Sequence, residues 1–462
     1  MTIGVFFLAH LYRLSDPPNG YHHWRETDTA AVMLNYYQEG MNFFEPRINQ
    51  RGATSGITGM ELPLLQYIGA VLYHVTGPSH AAARMLTVIA ACTCLWLFFR
   101  SATFFSNELE AALATWAVAF SPLFLFYSHK IMPDIWMLTL WMASIYMYLC
   151  FQRNGRPRSW IGSAACLMLG AGIKPLCLSI YLPYLFLLVK GKGENRLRNI
   201  ILFGMYVAFT LGPVFLWMQY ARQLQQSSGL YTYYLGHNLA NFHEYLLSSQ
   251  FFKKLLLQWP SELWIGWVML PAFLYGLSYT ARNRSHSFFF VWILSTYIVF
   301  VVTALKSSSH DYYTIIIVSP LAVVTGAGLY RLYTRGHWRR VVALALVIVA
   351  PIGALLRIHQ RLGPTDDYYA IRAAAGKIIP EDTLVAVEDD TPAIRLYQLN
   401  RRGWPLRSGV RYDEVAVLVR QGARFLIVEQ PLDTAEGRWD NVLFTEPIEF
   451  GPLLCYRTKN GN

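Results

Sequence analysis

The sequence predicts a multi-spanning α-helical membrane protein with a small C-terminal α/β domain outside the membrane. Three observations predict it. Apolar stretches of roughly 15–22 residues recur from the N-terminus to about Ile358, long enough to cross a hydrocarbon core of roughly 30 Å. The short connections between them alternate in character. One class carries Arg153, Arg156 and Arg158; Lys190, Lys192, Arg196 and Arg198; Arg282 and Arg284; and Arg335, Arg339 and Arg340. The other carries Glu26, Asp28, Glu61, Asp134, Lys174, Lys306, His310 and Asp311. Lys and Arg near span ends resist translocation, which puts the first class in the cytoplasm and the second outside. Finally, from Pro364 onward the chain turns polar and takes on soluble-domain patterning.

The first apolar segment, Thr2–Leu14, is short for a span. It lacks the charged leading region and small-residue cleavage site of a signal peptide, and reads as a first span. The polar stretch from Ser15 opens the first outward loop, residues 15–80. Within it Leu62–Gly77 is apolar enough to cross, but counting it would turn every basic loop outward. The charge rule therefore makes it a helix lying in the outer interface. Spans then fall near 82–100, 108–128, 131–151, 159–174, 175–190, 198–218, 262–280, 287–305, 312–333 and 340–358. With the first segment this makes about eleven transmembrane helices plus an outer juxtamembrane helix. The N-terminus is inside and the C-terminus outside, in a bacterial cytoplasmic membrane. A second large outward loop, 219–260, is Tyr-rich and carries an amphipathic stretch around Phe251–Trp259.

Two domains result, 1–360 in the membrane and 361–462 outside it. In the second, Asp366 or Asp367 caps a helix through Ala375. Thr383–Val387 and Phe425–Val428 read as short buried strands, with helical stretches near Pro392–Leu399 and Asp413–Gln421 between them.

Composition excludes an ordinary soluble chain: 54% of residues are apolar, 15% aromatic and only 15% charged. A net charge of +11 would suggest nucleic acid in a soluble protein, but here the basic residues sit mostly in inward loops. No nucleic-acid partner is expected. Cys92, Cys94, Cys150, Cys166 and Cys177 lie in or beside apolar spans, leaving only Cys455 in the tail, so no disulfide framework or metal spacing is visible.

Ionisable residues gathered on one face of a multispanning protein mark a functional site. The first outward loop reads His22-His23-Trp24-Arg25-Glu26-Thr27-Asp28, then a helix to Gly40, then Asn42-Phe43-Phe44-Glu45-Pro46-Arg47 and, after a Gly-rich link, Gly59-Met60-Glu61-Leu62-Pro63-Leu64. This order resembles integral-membrane glycosyltransferases of the GT-C class, nearest to the protein O-mannosyltransferases and the lipid A aminoarabinose transferase. The resemblance continues at Tyr127-Ser128-His129-Lys130-Ile131-Met132-Pro133-Asp134, at Gly170-Ala171-Gly172-Ile173-Lys174-Pro175, and at His310-Asp311-Tyr312-Tyr313 with a later Pro320.

The resemblance implies transfer of a sugar from a polyprenyl-phosphate carrier to a lipid, glycan or protein acceptor at the outer face. An acceptor hydroxyl needs a carboxylate within reach to take its proton. The departing lipid phosphate needs cations. No cofactor is obligatory, and a divalent cation is not indicated. Asp28 is the expected base; counting back from Gly40 without gaps places Arg25-Glu26 at the family's acidic pair, which keeps Glu26 as the alternative. Glu61, Trp24, Asp134 and Arg25 are expected at the sugar or acceptor, although Leu62 stands where the aminoarabinose transferase has a Lys. Lys174, Lys306, His310 and Tyr312 are expected at the donor phosphate.

Each residue also has a plainer reading. Arg25 and Asp28, three apart on a helix, could make only a local ion pair. Glu61 could serve a helix N-terminus, and Asp134 a first helical turn or a pairing with Arg25 or Lys130. Lys174, Lys306 and the tyrosines could be interfacial anchors. His22 and His23 are adjacent and unsuited to sharing a metal, and Glu388-Asp389-Asp390 reads as a solvated loop. Two other functions fit many spans: a lipid-linked-sugar transporter, for which no inverted repeat is visible, and a surface-polysaccharide polymerase or ligase, which would use Arg222, His237 and His243 of the second loop.

Overall fold

The computed structural model describes residues 1–190, 196–230, 248–281, 286–364, 366–391, 394–432, 438–444 and 446–459. Lys192, Arg282, Arg284, His237 and His243 lie outside them. The chain is mostly helical and divides into two compact units. One is built from Met1–Leu14, Arg84–Gln219 and Leu235–Arg361; the other from Ser15–Ala83, Tyr220–Tyr234 and Leu362–Asn462. The stretch Ser15–Ala83 thus shares a unit with the C-terminal tail.

In the first unit, the described helices carry the length and apolarity of a multi-pass membrane protein. Five are long and apolar enough to cross by themselves: His80–Ala102, Asp134–Asn154, Leu197–Ser228, Asp311–Thr334 and His337–His359. Asp311–Thr334 is 83% buried and runs through packed interior. His337–His359, only 17% buried, presents its apolar side outward, as a lipid-facing helix does. Helix Val318–Thr334 packs on Glu108–Ala119 and Leu270–Thr280. Glycines allow that approach: a Cβ at Gly276 would strike the Val324 carbonyl, and one at Gly328 the Ala272 carbonyl.

Several expected spans are interrupted, and the interruptions have local causes. The stretch 108–128 divides into Glu108–Ala119 and Pro122–Tyr127, because Pro122 opens a new helix after extended Ser121. The break expected between 174 and 175 is present, helix Pro157–Ile173 stopping at Lys174, which Pro175 forces into extended backbone; the span expected from 175 opens as a 3-10 turn at Pro175–Ile180 before helix Tyr181–Lys190. The amphipathic stretch near 251–259 is an α-turn at Ser249–Phe252 followed by π-helical turns Lys253–Gln258 and Pro260–Trp264. Pro260 lacks an amide proton and widens the ladder there. The helix expected from 262 therefore starts only at Leu270.

The second unit holds a five-stranded sheet in the order β2-β1-β3-β5-β4. Its strands are β1 (Leu384–Glu388), β2 (Arg402–Leu406), β3 (Phe425–Val428), β4 (Ile448–Phe450) and β5 (Leu453–Arg457). β1 pairs in parallel with β2 and β3; β5 runs antiparallel to β3 and β4. Alternation splits the core into two faces. Val385, Val387, Phe425 and Ile427 pack with Ile371, Ala375 and Leu396 of helices Asp366–Ile378 and Ile394–Leu399. Ala386, Leu426 and Val428 pack with Val415 and Val419 of helix Tyr412–Arg420 on the other side. Edge strand β2 is covered by the loop at Asn49–Gly52. Gly52 donates to the Gly403 carbonyl at 2.9 Å and Gly403 to the Asn49 carbonyl at 3.2 Å, which removes a free edge. Glu39 ties the same loop to the sheet, with Arg51 and Arg402 each 2.9 Å from its carboxylate.

Candidate active site

The acidic motif of the loop 15–80 folds into helix His23–Glu39, opened by His22 in the left-handed region at φ 56°. The helix packs against Leu64–Thr76, where Gly69 gives room for the Met33 thioether. That packing delivers Glu61, three residues ahead of the second helix, to the first. Arg25 is 3% exposed and holds both acids: its Nη1 donates to Asp28 Oδ2 at 3.3 Å and its Nη2 to Glu61 Oε1. Thr29 donates back to the Arg25 carbonyl at 3.0 Å, steadying that turn.

Electrostatics separate Asp28 from an ordinary surface acid. Burial raises its pKa to about 6; Arg25 opposes the rise and the Glu61 charge adds to it. A carboxylate that takes up a proton near pH 6 is suited to proton transfer at neutral pH. Glu26 is fully buried on the same helix. Residues two apart on a helix are turned by about 200° from each other, which sends Glu26 and Asp28 to opposite sides. Trp24 is half-buried beside His22, their rings edge-on at 6.5 Å. His23 is engaged through Nδ1 with the Gly20 carbonyl at 2.8 Å.

In the first unit the remaining motifs meet. Asp134 begins helix Asp134–Asn154 after Pro133, where a negative charge suits the helix dipole. Its partner is Lys174, Nζ to Oδ1 at 2.5 Å, rather than Arg25 or Lys130. Extended backbone at the helix end leaves Lys174 also over two aromatic faces, 4.4 Å from the Tyr312 ring centre and 4.9 Å from that of Tyr313. His310 stacks on Tyr312 with ring centres 5.3 Å apart. Asp134 is fully buried, and its Oδ2 has no hydrogen-bond partner among the described residues. Lys306 lies half-buried on the short helix Ala304–Ser309 just ahead of His310.

Sequence reasoning named Asp311 in the motif that follows His310 but missed its partner, Arg361. Asp311, fully buried, accepts from the Tyr127 hydroxyl and is 2.6 Å from Arg361, whose guanidinium also lies over Phe126. Arg361 stands at the expected domain boundary, and its one signal in the sequence is a cation at the end of an apolar helix. Lys254, another residue passed over, donates to the Ser308 carbonyl at 2.9 Å. Arg222 is exposed on the helix Arg196–Ser228. The tail acids are not simply solvated: Asp389 accepts from the Thr391 and Arg395 amides at 2.9 and 2.7 Å, capping the next helix, and burial lifts its pKa to about 6. Among the described residues, no group of three or more His, Cys, Asp or Glu side chains is arranged around a metal position.

Comparison with known proteins bears on the fold. Residues 61–218 match the family described as dolichyl-phosphate-mannose-protein mannosyltransferase. No curated protein sequence matches the chain significantly. Among solved structures, ArnT from Cupriavidus metallidurans bound to undecaprenyl phosphate is similar over 99% of this chain and 97% of its own, with a TM-score of 0.65 at 12% identity. The archaeal oligosaccharyltransferase AglB from Archaeoglobus fulgidus, in complex with an inhibitory peptide and a dolichol-phosphate, matches 93% of this chain and 69% of its own (TM-score 0.60, 10% identity). Arabinofuranosyltransferase AftD from Mycobacteria matches all of this chain over 40% of its own (TM-score 0.58, 13% identity). The chain has the GT-C glycosyltransferase fold.

Proposed function

We propose that this chain is a glycosyltransferase that moves a sugar from a polyprenyl-phosphate carrier to an acceptor hydroxyl at the periplasmic face of a bacterial cytoplasmic membrane, with Asp28 as general base. One observation carries the reading: on a GT-C fold, a buried carboxylate is held by Arg25 beside Glu61 and ionises near pH 6. Asp28 takes the acceptor proton as the acceptor oxygen bonds to the sugar C1. The bond from C1 to the carrier phosphate breaks, and its electron pair leaves with the phosphate. Lys174, Lys306, His310 and Tyr312 receive that charge. Asp134 keeps Lys174 oriented, and its open Oδ2 accepts a sugar hydroxyl. Arg25 positions both acids, and Trp24 offers a ring face to the sugar. Phosphate is a fair leaving group, so the scheme requires no cofactor and no divalent cation. The undecaprenyl phosphate and dolichol-phosphate in two of the similar structures support a lipid-linked donor here. Glu26 is the alternative base.

Lipid analysis of a deletion strain tests this. The expected result is an accumulated sugar-phosphate-polyprenol together with an under-glycosylated lipid, glycan or protein. Unchanged lipid and glycan pools would overturn it. Cysteine labelling tests the face: positions 61 and 306 should react from outside and 153–158 from inside. Labelling of position 306 only from the cytoplasm would end the periplasmic assignment.

A further inference from the structure

We infer that the second unit carries a binding site for an anionic saccharide, lined by none of the residues of the Arg25–Asp28–Glu61 cluster. The site is a cleft of about 320 Å3 whose lining includes Tyr73, His80, Tyr368, Tyr369, Arg372 and Tyr397. Pockets for small ligands run from roughly 300 to 1,000 Å3, so this one is the size for one or two sugar rings.

The chemistry of the walls selects the ligand. Arg372 is fixed from one nitrogen only: its Nη1 donates to the Tyr368 hydroxyl at 3.2 Å and to the Tyr397 carbonyl at 3.1 Å. Nη2 and Nε have no hydrogen-bond partner among the described residues, which leaves one edge of a planar guanidinium open. Such an edge suits the two oxygens of a carboxylate or phosphate. His80 lies 2.9 Å from the Tyr397 hydroxyl through Nε2, and no Asp or Glu is among the lining residues. The cleft is therefore cationic as well as aromatic.

The rings are set for a sugar rather than a flat base. His80 meets Tyr368 at 74° and Tyr397 at 60°, and Tyr368 meets Tyr369 at 86°, so these pairs leave no parallel slot for a nucleobase. A pyranose presents C–H groups and hydroxyls in several directions and can be met by ring faces, ring edges and phenolic hydroxyls together. Tyr369 supplies the platform. It is 53% exposed, yet its hydroxyl is tied to the Ser15 carbonyl at 3.0 Å. A large ring held in place and left half open is ready to be covered.

Assigning the ligand to the acceptor, as a charged sugar flanking the hydroxyl that reacts, rests on the glycosyltransferase reading. The binding itself does not. The test uses the full chain in a sugar-free detergent and reads dissociation constants by saturation-transfer NMR for glucose 6-phosphate, glucuronic acid and glucose, and for inorganic phosphate by its displacement of glucose 6-phosphate in the same experiment. Glucose 6-phosphate and glucuronic acid should bind more tightly than glucose or phosphate. Arg372→Gln should weaken the two charged sugars at least tenfold and leave glucose unchanged. Tyr369→Ala, at an exposed position, should weaken all three sugars at least threefold. Dodecyl glucuronide in phosphatidylcholine vesicles separates the sources: binding at tenfold lower concentration than glucuronic acid indicates a lipid-anchored glycan, and equal binding a soluble one. Phosphate binding as tightly as glucose 6-phosphate with no effect of Tyr369→Ala would overturn the proposal, as would no binding of any sugar to the unaltered chain. Binding that survives in a chain with no transferase activity would leave the site standing and overturn only the catalytic reading.

Discussion

Two buried ionic clusters, one in each unit, use the same kinds of residue to opposite chemical ends. In the second unit a single guanidinium, Arg25, spans two carboxylates, Asp28 and Glu61. In the first, each acid has a cation of its own: Lys174 for Asp134 and Arg361 for Asp311. Sharing one cation leaves a carboxylate that is not fully neutralised, and burial then pushes Asp28 toward protonation near neutral pH. The matched pairs instead hold their cations in place against aromatic faces, Lys174 over Tyr312 and Tyr313 and Arg361 over Phe126. On the proposed reading, the ratio of charges, more than the identity of the residues, sets the base Asp28 apart from the cations assigned to the donor phosphate.

The sharpest way to break this contrast is Asp28→Asn. It keeps shape and one hydrogen bond but removes the proton acceptor, and turnover should fall by roughly 10²–10⁴-fold with donor lipid still bound. Glu26→Gln should be milder. Full activity of Asp28→Asn with loss in Glu26→Gln would move the base to Glu26. The same variant should stabilise the fold. Because its folded pKa is raised, Asp28 favours the native state below its ordinary value of 3.8 and loses that advantage as pH rises through about 6. Keeping it ionised at pH 7 costs roughly 3 kcal/mol. Thermal midpoints should therefore be higher for Asp28→Asn at pH 7.5, with the gap closing below about pH 4.

The matched pair should respond differently. Lys174→Met strands a buried Asp134, a change expected to cost roughly 3–5 kcal/mol of stability. Adding Asp134→Asn should restore most of the thermal midpoint, because neither charge is left alone. Donor affinity should not return: the lost charge-assisted contact is worth roughly 1.5–3 kcal/mol, read as weaker binding of a polyprenyl phosphate. Recovery of donor binding along with stability would show that Lys174 only neutralises Asp134.

What the sequence disclosed follows the same divide between local and distant causes. Phe425–Val428, four apolar residues in a polar tail, is a strand with the bounds expected, and Thr383–Val387 is displaced by one residue. The ion pair of Arg25 with Asp28 is helical spacing and was legible; the third member, Glu61, was expected nearby only through the resemblance. Strands β2, β4 and β5 were not seen. Arg402–Leu406 contains Gly403 and Pro405, which read as turn residues, and its pairing depends on β1 and on the loop at Asn49–Gly52. The break after Phe120 could have been read from Ser121-Pro122, but hydropathy averages across it. The partners of Asp134 and Asp311 are 40 and 50 residues away along the chain, and periodicity carries no information at that range.

The smallest expected effect is also the most discriminating, because it asks how Asp28 is tuned rather than whether it matters. The acid limb of kcat/KM should have its midpoint near pH 6, the pH at which the buried carboxylate gives up its proton. Two neighbours act on it in opposite directions. Arg25 favours the ionised form, so Arg25→Gln should move the limb to higher pH. Glu61 disfavours it, so Glu61→Gln should move the limb to lower pH, by less than burial raises it, since burial is the largest cause. Each shift is a property of a charged neighbour, and neither is produced by general loosening of the fold. A limb that stays in place in both variants would mean that the titrating group is not Asp28. A limb that moves upward in both would leave Asp28 as the base but assign Glu61 a hydrogen-bonding role in place of its charge.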